Sequence, residues 1–181
     1  FLTYGKKHKI IVRVDDDAGD PNKFSRGHAL YGKQGYGNAR GIWQTVYLEA
    51  RGSNYFDAIH FTPDIDNKSV NVKFYFQDKM KTNSSVKLNI KTDKGVINKK
   101  FTIIKGQLSS SFNVSIPDMR LWSLDDPFLY KVQASLDDDQ VESYFGMRKV
   151  SVVNLPDSEF PYVALNNKPI YLQFALDQSY H

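Results

Sequence analysis

The chain has 181 residues, of which 41% are hydrophobic and 14% aromatic, and this is enough to bury a core in one or two domains. Its formal net charge is +4, but lysines and acidic residues are interspersed, and no basic stripe with interleaved aromatics indicates a nucleic-acid partner. The lack of cysteine excludes disulfides and thiol chemistry, and no apolar run approaches the ~18 residues that span a membrane.

The first fifty residues contain two strand-like runs, Ile10 to Val14 and Ile42 to Leu48, separated by a polar and glycine-rich segment. Two strands and a loop cannot close a core by themselves. We therefore predict that residues 1–52 are part of a larger β-domain. Unpaired strand edges and apolar surface invite partners, so we expect either self-association through residues 1–52 or high mobility of that segment.

Within this part of the chain, residues 24–40 mix aromatic rings with polar donors, among them Arg26, Tyr36 and Asn38. Such mixtures suit sugars, because rings stack on C–H faces while polar groups bind hydroxyls. These three residues are candidate carbohydrate contacts, with a plain surface loop as the alternative. No metal site and no cofactor is predicted, because the four histidines are scattered and the acidic run at 15–20 lacks the ligand order of a calcium loop.

A period of two dominates residues 55–153. Alternating apolar and polar residues place one face of a strand on a core and the other in water. The runs with this alternation are Val70 to Phe76, Val86 to Ile90, Phe112 to Ile116, Val132 to Leu136, and Val150 with Val152.

Turn signals separate these runs, at Asp93-Lys94-Gly95 and at Asp137-Asp138-Asp139. No window of a dozen residues keeps helical spacing, so the fold class is all-β. Seven strand-like runs within ~100 residues predict an immunoglobulin-like β-sandwich, held by side-chain packing alone because no disulfide is available.

The last block has a hairpin signal at Asn166-Asn167, followed by the apolar run from Ile170 to Leu176. This run is nearly continuous in its hydrophobicity. Strands that are buried on both faces, as in a parallel barrel, have this character. The pattern therefore predicts a different kind of strand from those of the sandwich.

Four motifs occur in one order along the chain. They are Gly-Ile-Trp-Gln-Thr-Val-Tyr-Leu-Glu at 41–49, Leu-Trp-Ser at 121–123 with Asp-Pro-Phe-Leu-Tyr at 126–130, Phe-Gly-Met-Arg-Lys-Val at 145–150, and Ala-Leu-Asn-Asn-Lys-Pro-Ile-Tyr-Leu at 164–172. Together they resemble glycoside hydrolase family 2, the family of β-galactosidases, β-glucuronidases and β-mannosidases.

The resemblance implies an order of domains. Residues 1–52 would be the C-terminal part of a sugar-binding jelly roll, and residues 53–153 the immunoglobulin-like sandwich. Residues 154–181 would be the lead-in and first strand of a (β/α)8 barrel that carries catalysis.

The resemblance also implies a chemistry. The family hydrolyses β-glycosides with retention, which requires two carboxyl groups roughly 5–5.5 Å apart, and it places its two glutamates on later barrel strands. The acid/base glutamate of the family follows an asparagine, and this sequence contains no Asn-Glu dipeptide. No residue is therefore predicted to be catalytic, and the chain is expected to be a non-catalytic fragment whose parent binds carbohydrate.

One further candidate follows from the barrel-like ending. Asp177 comes just after the predicted first barrel strand, where barrel enzymes place functional groups, so it is a candidate for sugar contact or for a structural role. The segment before the Gly-Ile-Trp motif has no acidic residue of the kind that reaches the sugar site in some β-galactosidases. The sugar and the cellular compartment both stay open.

Two rival functions fit parts of the sequence. A stand-alone carbohydrate-binding β-sandwich would need a complete jelly roll with a concave aromatic face. A generic immunoglobulin-like adhesion module would explain the alternation but not the Gly-Ile-Trp motif or the barrel-like ending.

Overall fold

The computed structural model describes residues 3, 5–13, 42, 44–49 and 51–176. The chain divides into two compact units, one formed by residues 1–49 and 173–181 and the other by residues 50–172. The described residues form strands and turns without any helix, so no helix among them is long and apolar enough to cross a membrane. This agrees with the all-β class predicted from the sequence.

The first sheet of the larger unit has three antiparallel strands in the order β1-β2-β5. Their bounds are Phe56–Asp64 for β1, Ser69–Phe76 for β2 and Ser109–Ser115 for β5. In β2, every second residue is fully or almost fully buried, as the alternation predicts. β1 is an edge strand, with a ladder partner on one side only. Pro63 is tolerated there because proline has no N–H to donate and an edge strand does not need a donor on its open side.

The second sheet has four antiparallel strands in the order β4-β3-β6-β7. Their bounds are Ser84–Thr92 for β3, Gly95–Ile103 for β4, Tyr130–Leu136 for β6 and Asp139–Phe145 for β7. Two-residue turns connect β3 to β4 and β6 to β7, at the two turn signals predicted from sequence. In the first of them, the Thr92 hydroxyl accepts from the Lys94 N–H and donates to the Gly95 carbonyl, both at 3.1 Å.

The two sheets share one hydrophobic core. Its largest side chains are fully buried and come from both sheets, namely Tyr130, Phe74, Leu88, Ile90, Ile103 and Leu136. The Phe74 ring of β2 lies 6.3 Å from the Phe101 ring of β4, which joins one sheet to the other. The result is the predicted immunoglobulin-like sandwich. Its fourth strand pairs with β3 in the four-stranded sheet. In the constant-type immunoglobulin fold, the fourth strand instead joins the sheet of the first, second and fifth strands.

A third, smaller sheet follows the sandwich, in the order β10-β9-β8. β8 is Val150–Asn154, β9 is Pro161–Leu165, and β10 is the two-residue strand Lys168–Pro169. The turn between β9 and β10 lies at Asn166 and Asn167, where the hairpin signal predicts it. Residues 170–176 are described but are not part of a strand, and the barrel to which this run is predicted to belong stays a prediction.

The smaller unit also differs from the sequence prediction in its described residues. Strands are predicted at Ile10 to Val14 and Ile42 to Leu48, but residues 10–13, 42 and 44–48 are not assigned to strands. Apolar side chains in both segments, such as Ile11 and Leu48, are largely exposed. A β-strand requires a neighbouring strand to pair with. Alternation of apolar and polar residues predicts an extended conformation, but it does not show that a pairing strand is present.

Tyr130, the first residue of β6, fixes the segment that leads into that strand. Its hydroxyl accepts a hydrogen bond from the Arg120 N–H at 2.6 Å and donates to the Arg120 carbonyl at 3.2 Å. Its fully buried ring stacks on Phe145 at 5.1 Å, and this burial raises the pKa of the phenol. The arrangement is the tyrosine corner of immunoglobulin-like domains, in which a tyrosine of this strand binds upstream backbone.

Replacing Tyr130 with Phe removes both hydrogen bonds and keeps the ring. We expect the free energy of unfolding to fall by about 1–2 kcal/mol, because the Arg120 N–H loses its partner. Urea denaturation would measure the change. Tyr144→Phe is the matched control, since that ring lies on the exposed face of the same sheet and should change the free energy little. Equal effects of the two substitutions would contradict the role assigned to the Tyr130 hydroxyl.

Candidate functional site

The residues predicted to contact sugar are Arg26, Tyr36, Asn38 and Asp177. All four lie outside the described residues, as does Trp43 of the Gly-Ile-Trp motif. Their proposed roles stay predictions. The described residues instead contain two polar clusters and one exposed apolar face, all in the larger unit.

The first cluster, called the anchor cluster, consists of Arg51, Asn54, Asp137 and Asp139. Asp139 is buried, and its carboxylate accepts from the Phe56 N–H at 2.9 Å and from the Arg51 guanidinium at 3.4 Å. Asn54 donates to the Asp137 carboxylate at 2.8 Å. The turn between β6 and β7 therefore holds the segment that enters β1, and the cluster connects parts of the chain more than eighty residues apart.

The second cluster, called the junction cluster, consists of Asp66, Trp122, Lys149, Asn166 and Asn167. Asn166 and Asn167 both have positive φ, 52° and 65°, as a two-residue type I′ turn requires and as asparagine tolerates. The Asn166 amide donates to the Trp122 carbonyl at 2.9 Å and its oxygen accepts from the Lys149 N–H at 3.1 Å. The turn thus joins the β8–β10 sheet to the sandwich.

An ion pair completes this junction. The Lys149 ammonium donates to the Asp66 carboxylate at 2.5 Å, and the Asn167 amide donates to the other oxygen of that carboxylate at 2.8 Å. The hydrogen bond from Lys149, followed by the one from Asn167, lowers the pKa of Asp66 below its ordinary value of 3.8. The carboxylate therefore stays ionised and holds the β1–β2 turn against the β9–β10 turn.

The pH dependence of this contact has a definite sign. Because the pKa of Asp66 is lower in the folded chain, its contribution is complete above the unfolded value of 3.8 and is lost as pH falls through the folded value. We expect Asp66→Asn to be less stable than the parent chain near pH 7, with the difference shrinking in more acidic solution. Urea denaturation midpoints of the parent chain and of Asp66→Asn, near pH 7 and near pH 3, measure this difference in stability. A difference that persists unchanged near pH 3 would show that the charge is unimportant.

Trp122 is in contact with Arg148 and lies close to Gly146. The Arg148 guanidinium lies over the indole at 4.8 Å from the ring centroid. A Cβ added at Gly146 would lie 3.2–3.3 Å from three atoms of Trp122, so a larger residue there would press on the indole. This contact explains the glycine in the Phe-Gly-Met-Arg-Lys-Val motif, and it supports a packing role for Trp122.

The third feature, called the β8 apolar face, consists of Val150, Val152, Val163 and Leu165. The register places Val150 opposite Leu165 and Val152 opposite Val163, so all four share one side of the sheet. Val150 and Val152 are 71% and 69% exposed. The alternation predicts that these valines face a core, and this prediction is wrong for β8. The opposite side of the sheet, which carries Ala164, is the buried one.

Three of the described carboxylates, those of Asp64, Asp66 and Asp126, bind neighbouring donors that lower their pKa values. The Asn67 side chain, followed by its backbone N–H, lowers the pKa of Asp64, and the bidentate Arg120 guanidinium at 2.8 Å lowers that of Asp126. A general acid in glycoside hydrolysis requires the opposite shift. Among residues 51–176 and the shorter described segments, no group of three His, Asp or Glu side chains is placed to hold a metal.

Sequence reasoning missed the junction and anchor clusters. Asp66 and Lys149 are 83 positions apart, and the residues around one of them give no indication of the other. The available signals were indirect, namely the Asn-Asn turn, the glycine before Met147 and the acidic turn after β6.

The fold and its contacts define the class of protein, an immunoglobulin-like β-sandwich extended by a small antiparallel sheet. A family model described as Glycosyl hydrolases family 2 matches residues 54–148, more than half of the chain. The chain therefore belongs to glycosyl hydrolases family 2, as the four motifs predict. No curated protein sequence gave a significant match.

Solved structures are similar to the chain in fold. A β-D-mannosidase from Dictyoglomus thermophilum is 22% identical, with a TM-score of 0.60, and the match covers 72% of this chain and 18% of that one. A family 2 β-galacturonidase from Eisenbergiella tayi bound to galacturonate has 20% identity, coverages of 65% and 21%, and a TM-score of 0.48. A β-glucuronidase from Ruminococcus gnavus in complex with D-glucuronic acid has 15% identity, coverages of 67% and 20%, and a TM-score of 0.46. The match spans about a fifth of the length of these solved structures.

Proposed function

We propose that this chain is a non-catalytic, supporting part of a family 2 glycoside hydrolase. The whole enzyme would hydrolyse β-glycosides with retention, and carbohydrate would be its partner through the complete active site. The boundaries at residues 52/53 and 153/154, the jelly-roll and barrel assignments, and the four predicted sugar contacts belong to this proposal. Family membership supports the activity, and the larger unit supplies reasons for the supporting role.

The observation that carries the supporting role is the β8 apolar face. Two valines more than two-thirds exposed on one side of a small sheet form surface that is unfavourable in water unless another surface covers it. The same sheet is fastened to the sandwich by the Asn166 hydrogen bonds and the Lys149–Asp66 ion pair. A fastened sheet with one apolar side uncovered suits a surface on which a further domain of the enzyme rests.

The state of three carboxylates of the larger unit favours a supporting role for these groups and not a catalytic one. In the retaining reaction one carboxyl must hold a proton near neutral pH, which demands a raised pKa. Asp64, Asp66 and Asp126 have lowered pKa values and are bound to amide, ammonium and guanidinium donors. These groups act as fixed anions that join segments of the fold.

The proposal is tested by assaying the purified chain on aryl β-glycosides that carry galactose, glucose, mannose or glucuronic acid. We expect no turnover above the uncatalysed rate for any of them. The proposal is wrong if a rate is found that disappears when one aspartate or glutamate of this chain is replaced by its amide. An unchanged rate in that variant would instead identify a contaminating enzyme.

A second experiment tests the supporting surface. In the isolated chain, the β8 apolar face should promote self-association, and Val152→Lys should reduce it because a charge cannot be buried there without a partner. Size-exclusion chromatography with light scattering measures the effect. Leu108→Lys is the matched control, since Leu108 is 51% exposed but lies just before β5. Association that Val152→Lys leaves unchanged would favour residues 1–52 as the associating segment.

A further inference from the structure

The outer face of the four-stranded sheet carries rows of lysine, amide and aromatic side chains. Side chains alternate across a strand, so the residues that do not enter the core form rows across the sheet. The ladder pairs Lys91 with Val96 and with Lys131, and pairs Lys131 with Tyr144. One row therefore runs across all four strands as Val96, Lys91, Lys131 and Tyr144.

The adjacent row is rich in amides. The register pairs Asn89 with Asn98 and with Gln133, and Gln133 with Glu142. A groove of about 590 Å³ lies over these two rows, within the size range of small-molecule sites. Its lining includes Asn89, Lys91, Lys131, Gln133, Glu142 and Tyr144.

The charges on this face are placed unfavourably for the fold alone. Lys91 stands directly opposite Lys131, and Lys87 stands directly opposite Lys100. Like charges directly opposite one another destabilise a sheet. None of these four lysines forms a salt bridge with any residue that the structure describes. Of the two pairs, Lys91 and Lys131 line the groove, and an anion bound between these two would relieve their repulsion.

Apolar surface lies beside the lysines. Tyr144 is 65% exposed next to Lys131, and Val96 is 55% exposed next to Lys91. An exposed ring offers a flat platform, while the amides of Asn89 and Gln133 and the Glu142 carboxylate offer hydrogen bonds in both directions. A ligand that satisfies all of these groups must combine an apolar face, several hydroxyls and a negative charge.

We propose that this groove binds an anionic glycan, with an acidic group between Lys91 and Lys131 and a sugar ring stacked on Tyr144. Asn89, Gln133 and Glu142 bind its hydroxyls. A nucleic acid fits this surface less well, because only one aromatic ring lines the groove where single strands use successive rings. The site goes beyond the proposed supporting role and does not depend on it.

Calorimetric titration of the whole chain tests the proposal with four probes. These are tetragalacturonate, a sulfated heparin tetrasaccharide, a neutral galactotetraose and an oligothymidylate. We expect both acidic sugars, or one of them, to bind at least about tenfold more tightly than the neutral sugar and the oligonucleotide. The first two probes distinguish carboxylate from sulfate as the recognised group. Binding should weaken as salt is raised, because the lysines are exposed.

Variants then place the binding in the groove. Lys131→Gln and Tyr144→Ala should each weaken binding of the acidic probe about tenfold, while Tyr144→Phe keeps the ring and should retain it within about threefold. Lys105→Gln is the control for net charge, since it removes the same charge at a residue outside the strands. Lys131→Gln should also keep or raise the melting temperature, because it removes a like charge from opposite Lys91.

Several outcomes would overturn the proposal. They are the absence of binding to either acidic probe at millimolar concentration, equal binding of the neutral sugar, and tighter binding of the oligonucleotide. An equal loss with Lys105→Gln and Lys131→Gln would assign the attraction to overall charge and would also reject the site. None of these outcomes bears on the assay for turnover, so the two proposals fail separately.

Discussion

Phe74→Ala is expected to lower the free energy of unfolding by about 3–5 kcal/mol, the largest effect of any single substitution considered. The Phe74 ring is fully buried at the centre of the sandwich. It lies 5.6 Å from the ring of Phe56 and 6.3 Å from the rings of Phe101 and Phe112. Since Phe101 lies in the other sheet, truncation at Phe74 opens a cavity between the two layers.

Urea denaturation of the whole chain measures this loss. Phe160→Ala is the matched control, because the Phe160 side chain is 72% exposed and its removal should change the free energy by no more than about 0.5 kcal/mol. If Phe74→Ala cost as little as Phe160→Ala, the two sheets could not share the core described above. A loss for Phe74→Leu smaller than that for Phe74→Ala is expected, since leucine refills part of the cavity.

The middle strands β2 and β3 and the edge strand β5 were predictable from alternation, whereas the edge strand β4 was harder to assign. β2 and β3 each have two ladder partners and bury every second residue, so Val70 to Phe76 and Val86 to Ile90 carry the alternation clearly. β4 is an edge strand, and its polar residues Lys99 and Lys100 interrupt the pattern. β4 belongs to the four-stranded sheet because it pairs with β3. Alternation of apolar and polar residues contains no information about that pairing.

Alternation also leaves open which side of a strand is covered. Val150 and Val152 alternate as well as the core residues do, yet their side of the sheet is exposed and the side with Ala164 is buried. The Asn166-Asn167 turn was predictable because it is a local signal. The ion pair between Asp66 and Lys149 was not, since its two partners meet only after the sandwich has formed.

The candidate site was predicted less completely than the fold. Family motifs indicated the sandwich and the glycosidase relationship, and the match over residues 54–148 confirms both. The motifs did not indicate that lysines would stand opposite each other across β3 and β6. That arrangement depends on strand register, which places Lys91 beside Lys131 although forty positions separate them.

Asp139→Ala is expected to lower the free energy of unfolding by about 2–4 kcal/mol, because it leaves a buried donor without its charged acceptor. The Asp139 carboxylate accepts from the Phe56 N–H at 2.9 Å and from the Arg51 guanidinium at 3.4 Å. Urea denaturation measures the loss, and Asp139→Asn separates its two causes. An asparagine oxygen can still accept from the Phe56 N–H, so Asp139→Asn should recover most of the stability lost in Asp139→Ala if the backbone hydrogen bond dominates.

The neighbouring residue supplies the control for this prediction. Asp138 lies on the same turn but is exposed, so Asp138→Ala should change the free energy of unfolding by no more than about 0.5 kcal/mol. Equal losses at the two positions would mean that the turn needs acidic residues in general and that the Phe56 hydrogen bond is unimportant. A loss confined to Asp139 would show that β1 is held at its start by the β6–β7 turn. Since β1 is an edge strand with only β2 as its ladder partner, this contact would then be a main restraint on where the sandwich begins.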